Sequence, residues 1–167
     1  LIFNYQISTM DPDRFIKILP QPDDTTCGPT SLHAVYRYHG LEVSLQEVIN
    51  SVHVLEDGGT LAVMLGIDAL KKGFHARIYS YNLKVFDLSW NGKTNEELID
   101  LLDKQLEYKN GKKFTQATRA YQEFLRRGGE IIFEDLHPGI LDRYFNQNIP
   151  VLTGLSATYL YNTTREY

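Results

Sequence analysis

Apolar residues recur at helical spacing in a regular series along this chain, and at strand-like density in fewer places. Leu32, Val35, Tyr36 and His39 follow Cys27-Gly28-Pro29-Thr30-Ser31 on one helix, which Gly40 is placed to end. Ser44 and Glu47 have capping-box spacing and open a short helix through about Ser51. Gly58-Gly59-Thr60 caps an apolar helix over Leu61 to Lys72, and Gly73 stops it. Thr94 and Glu97 form a second capping box; Leu98, Leu101, Leu102 and Leu106 line one face of the helix it starts. Ala117, Ala120, Tyr121, Phe124 and Leu125 mark another helix, closed by Gly128-Gly129, and a last short one follows Pro138 with Ile140, Leu141, Tyr144 and Phe145.

Strands are expected over Phe74 to Tyr81, Glu130 to Phe133 and Ile149 to Leu155, where β-branched and aromatic residues gather and Pro150 suits a strand start or edge. Helices first and strands later argue for segregated α+β rather than a doubly wound parallel sheet. The sheet reads as unfinished, so more chain is expected to complete it.

At 167 residues the chain fits a single domain, residues 1–167, with enough length for a sizeable core. Its 43% hydrophobic and 23% charged residues match an ordinary globular composition. Net charge is -4 with both signs interspersed; no basic stripe suggests nucleic acid. No apolar run approaches the ~18 residues of a membrane span. Leu1 to Met10 lacks the basic and apolar regions of a signal peptide, and a lone cysteine fits the cytoplasm. One cysteine also excludes an internal disulfide framework and a cysteine-rich zinc site, and no cofactor or metal motif is found. The first residue is not Met, which suggests a cut from something longer.

The candidate chemistry sits at that cysteine. A thiol attacks only as thiolate, and the N–H groups and macrodipole of a helix N-terminus favour the anion. Cys27 is placed at such a terminus, with Gly28 for a tight turn and Pro29 for the first helical turn. The loop Gln21-Pro22-Asp23-Asp24-Thr25-Thr26 can bring the Gln21 amide beside the thiol, where it and the Cys27 N–H make an oxyanion hole. A lone cysteine is more often a small buried hydrophobe. The joint arrangement of helix start, polar loop and upstream glutamine favours a nucleophile.

Gln21 through Gly28, with Pro29-Thr30-Ser31 and the helix to Gly40, resembles the Gln-x5-Cys-Gly motif of the bacteriocin-processing peptidases, which cut after double-glycine leaders. It is still more similar to the stand-alone and fused peptidase-like relatives of that group in the papain-like clan. More loosely, the resemblance extends through Gly59 to Tyr81 and Leu136 to Leu155. It implies a bacterial cysteine peptidase with Cys27 as nucleophile, Gln21 as oxyanion residue and a peptide or protein substrate. It also implies a papain-like fold whose antiparallel sheet is incomplete in this chain.

The family pattern next requires a histidine in a Gly-His-aromatic strand and then an Asp or Asn, and neither is matched. His33 lies about 9 Å up the same helix as Cys27 and on another face. His39, His53, His75 and His137 read as surface or half-buried structural residues. The base and its orienting partner are therefore expected after Tyr167, and these residues alone should be inactive or nearly so.

Asp23-Asp24 and Asp11-Pro12-Asp13 read as turn chemistry, and Glu56-Asp57-Gly58-Gly59 as a flexible turn rather than a metal or phosphate loop. Tyr159, Tyr161 and Tyr167 with Asn162-Thr163-Thr164 either line a substrate cleft or end a strand. Three functions remain open: a thiol peptidase, a transpeptidase using the same acyl-enzyme, and a peptide-binding module without catalysis. Oligomeric state is not readable.

Overall fold

A computed structural model describes residues 1–4, 15–55, 59–80, 85–109, 111–134 and 137–154. The Asp11-Pro12-Asp13 turn, residues 56–58, Tyr81 and the tail with Tyr159, Tyr161, Asn162-Thr163-Thr164 and Tyr167 lie outside the described residues.

The local signals place the helices closely. α1 spans Cys27–Tyr38, α2 Leu45–Ser51, α3 Ala62–Lys71, α4 Asn95–Tyr108, α5 Lys112–Arg126 and α6 Pro138–Phe145. Both capping boxes form, Ser44 with Glu47 and Thr94 with Glu97, each satisfying two orphan N–H groups. Gly40 (φ 80°) and Gly128 (φ 83°) stand just past α1 and α5 in the left-handed region that glycine enters without strain. The start of α3 differs from expectation. Its N-cap is Leu61, with no side-chain hydrogen bond, rather than Thr60.

The sheet corrects the antiparallel expectation. β1 (Ile2–Asn4) runs antiparallel to β2 (His75–Tyr79), with Ile2 opposite Arg77, but β3 (Glu130–Ile132) runs parallel to β2, with Ile78 opposite Ile131. α4 and α5 lie between β2 and β3, and a long helical crossover returns the chain in the direction it left. A strand also stands at the very start of the chain, so strands and helices interleave rather than segregate. The late strand over Ile149 to Leu155 reduces, among the described residues, to one bridge from Val151 to Ile2. Among the described residues the chain is a mixed α+β structure with a three-stranded sheet.

The main core joins the inner faces of α1, α3, α4 and α5 to the sheet through Leu32, Val63, Leu102 and Phe124, all fully buried. α3 is buried at every position from Val63 to Ala69, the pattern of a helix covered on all sides. Phe124 packs against the backbone where α5 meets α3: a Cβ on Gly66 would stand 2.7 Å from its ring and one on Gly129 only 2.4 Å. A smaller cluster of Ile2, Ile140, Tyr144 and Ile149 seats α6 on the sheet.

Candidate active site

Cys27 is the first residue of α1, and its side chain is exposed. The turn before it is built by Asp23, whose Oδ1 accepts from the Thr25 N–H at 2.8 Å and the Thr25 hydroxyl at 2.7 Å. Those bonds hold the Asp23 carboxyl below its ordinary pKa, with the Thr25 hydroxyl contributing most. The Thr26 hydroxyl donates to the Asp23 carbonyl at 3.1 Å, and the Thr26 carbonyl accepts from the Thr30 N–H at 3.0 Å, the first helical bond. No side chain caps α1 and no acidic residue lies in its first turn. This end of α1 thus has no side-chain cap of its own, while the turn before it carries the Asp23 and Asp24 carboxylates.

Beside the thiol opens a cleft of about 350 Å³. Cys27, Gly28 and Ser31 of α1 form one wall, Thr60, Ala62 and Leu65 another, and Leu1 with the 152–154 backbone segment the third. Leu1 and Leu152 exchange backbone bonds of 2.8 Å in both directions, which closes that third wall. None of the lining side chains is charged. Gly28 makes no tight turn: it lies inside α1, where a Cβ would make ordinary contact with Leu65 and Thr60 at 3.4 Å.

Gln21 is exposed in the loop ahead of the Asp23 turn and is not among the residues that line the cleft. Nor does any of the five histidines line it. His33 is buried in α1, its Nε2 at 3.1 Å from the Val43 carbonyl oxygen. His39 is buried between the rings of Tyr38 and Phe74. His53 and His75 are exposed, and His137 Nε2 stands 3.1 Å from Glu134 Oε1. Among the described residues no cluster of three or more His, Cys, Asp or Glu side chains could hold a metal. No helix there is long and apolar enough to cross a membrane.

A second polar constellation went unseen in the sequence. Arg77 on β2 donates through Nε and Nη2 to Glu130 Oε2 at 3.0 and 2.7 Å, and through Nη1 to the Tyr144 hydroxyl at 3.0 Å. The bond to Tyr144, then the Glu130 carboxylate, raises the Arg77 pKa above its ordinary value. The Tyr79 and Tyr144 hydroxyls lie 2.8 Å apart, and burial followed by this contact raises the Tyr79 pKa. Arg77 belongs to no recognisable motif; only the pairing of β2 with β3 and the docking of α6 assemble the group.

No family model, curated protein or solved structure matches this chain.

Proposed function

We propose that this chain carries the nucleophile of a papain-like cysteine peptidase, with Cys27 forming an acyl-enzyme on a peptide carbonyl. The observation that carries the reading is an exposed thiol at the first residue of α1, open to a cleft without charged side chains. The thiolate adds to the carbonyl carbon, the amine leaves with a proton, and water then releases the acid. The Gln-x5-Cys-Gly spacing supports Gln21 as the oxyanion residue, a role that requires its loop to carry the amide into the cleft. None of the five histidines lines the cleft, so the reading requires an imidazole and an Asp or Asn partner that the described lining does not supply. A cytoplasmic setting and a peptide or protein substrate belong to the same proposal.

A second reading is a peptidase-like module that binds peptides without cleaving them. The same absence of an imidazole from the cleft lining favours it.

An activated peptide thioester separates the readings, because a thioester acylates a competent thiol without needing the leaving group to be protonated. Mass spectrometry of the native chain should show one acyl group on Cys27, absent in Cys27→Ala and much slower to appear in the urea-unfolded chain. Equal rates for native and unfolded protein would remove the nucleophile assignment. Peptide binding without acylation would establish the module instead.

A further inference from the structure

A cleft of about 370 Å³ lies between β2, β3 and α6, and it shares no lining residue with the Cys27 cleft. Its floor is apolar, made by Ile2 and Ile149, and its walls carry Arg77, Arg143 and Gln147 with the exposed His75 beside them.

Hydrogen-bond donors outnumber acceptors there. A guanidinium has five N–H groups. Arg77 commits three of them, two to Glu130 and one to the Tyr144 hydroxyl. Arg143 forms a half-exposed ion pair with Glu134 Oε1 at 3.4 Å and reaches the Tyr79 hydroxyl at 3.5 Å, both longer than a good hydrogen bond, so its guanidinium is loosely held. Gln147 Nε2 donates to the Arg143 carbonyl at 2.8 Å, which anchors the amide beside the second arginine and leaves its other N–H. Glu130 is the one carboxylate in the lining, and its side chain is 50% exposed. A half-exposed ion pair of that kind is weakly held, so an incoming anion can share Arg77. The volume exceeds the needs of a bare ion, and the apolar floor has nothing to offer one.

We propose that this cleft binds a small organic oxyanion, a carboxylate or phosphate group held by Arg143 and Arg77 with a compact apolar body resting on Ile2 and Ile149. The inference is independent of any role for Cys27. The two guanidiniums supply bidentate, charge-assisted bonds, and Tyr144 holds Arg77 in place through its hydroxyl.

The test titrates the isotopically labelled chain with benzoate, phenyl phosphate and neutral benzyl alcohol, following amide and arginine Nε–H signals by NMR. Saturable shifts confined to residues 75–77, 130 and 143–149 are expected with at least one of the two anions, with Kd roughly in the millimolar range. The anion that gives them identifies the acidic group. Arg143→Gln should weaken binding by about tenfold or more, the loss of one charge-assisted bond, and Arg143→Lys by less. The proposal is overturned if neither anion saturates, if benzyl alcohol binds as well as benzoate, or if Arg143→Gln and Arg77→Gln, both still folded by their amide spectra, leave Kd unchanged.

Discussion

The Tyr36 hydroxyl donates to Asp68 Oδ2 at 2.7 Å in the interior, binding α1 to α3 through two buried side chains. Lys72, the C-cap of α3, donates to both Asp68 oxygens at 2.8 Å and to the Ser51 hydroxyl at 3.2 Å, which brings in α2. Its ammonium also stands 5.5 Å from the Tyr36 ring centroid. Burial, then the Asp68 bond and charge, raise the Tyr36 pKa, so the phenol remains a donor.

The two partners of that bond should respond unequally to removal. Tyr36→Phe leaves Asp68 still paired with Lys72, and a loss of about 1–2 kcal/mol is expected. Asp68→Ala strands a buried hydroxyl and a lysine in contact with it, for a loss of about 3–5 kcal/mol. Urea unfolding midpoints of both variants and the double variant give the coupling. Equal costs for the two would show that Lys72 contributes little.

Gly129→Ala should destabilise the fold. A methyl group there would stand 2.4 Å from the Phe124 ring, which is fully buried. Overpacking of this kind costs about 1–3 kcal/mol. Thermal unfolding reads it, and Phe124→Leu in the same chain should recover part of the loss.

Asn95 joins two helices at their ends: its Nδ2 donates to the Leu125 carbonyl at 3.1 Å and the Gly129 carbonyl at 3.0 Å. Asn95→Ala removes one bond from the C-terminal turn of α5 and one from the Gly129 carbonyl just beyond it. A cost of about 1–2 kcal/mol is expected, with hydrogen exchange at the end of α5 rising more than at its start.

The capping carboxylates set an acid limit to stability. The Glu97 pKa is lowered chiefly by the Thr94 N–H, then by Lys93, and the Glu47 pKa chiefly by the Ser44 hydroxyl. A carboxyl with a folded pKa below its unfolded value, about 4.3, stabilises fully above that value and loses the contribution as pH falls through the folded one. Glu97→Gln keeps an acceptor for the Thr94 N–H but cannot titrate. The variant should be less stable than the parent at pH 7, and the difference should shrink steadily below about pH 4. Denaturant midpoints across pH 2.5–7 check it; a constant offset would remove the carboxylate's part.

What the sequence determined by itself is the local part. Capping boxes, Gly stops and the Pro138 start lie within a few residues of the backbone groups they satisfy, so α2, α4, α5 and α6 were legible, and so was Cys27 at the head of α1. Only the tertiary structure decided what these elements meet. The three residues of β1 are too few to show a period, and the direction of β3 follows from the α4–α5 crossover rather than from its own side chains. Residues 1 and 152–154 reach the Cys27 cleft from the two ends of the described chain, while Gln21, near in sequence, does not line it. Tyr36 with Asp68, and Arg77 with Tyr144, are likewise pairs far apart in sequence. Local periodicity records which face of an element is apolar, whereas a polar contact between elements depends on how their backbones dock.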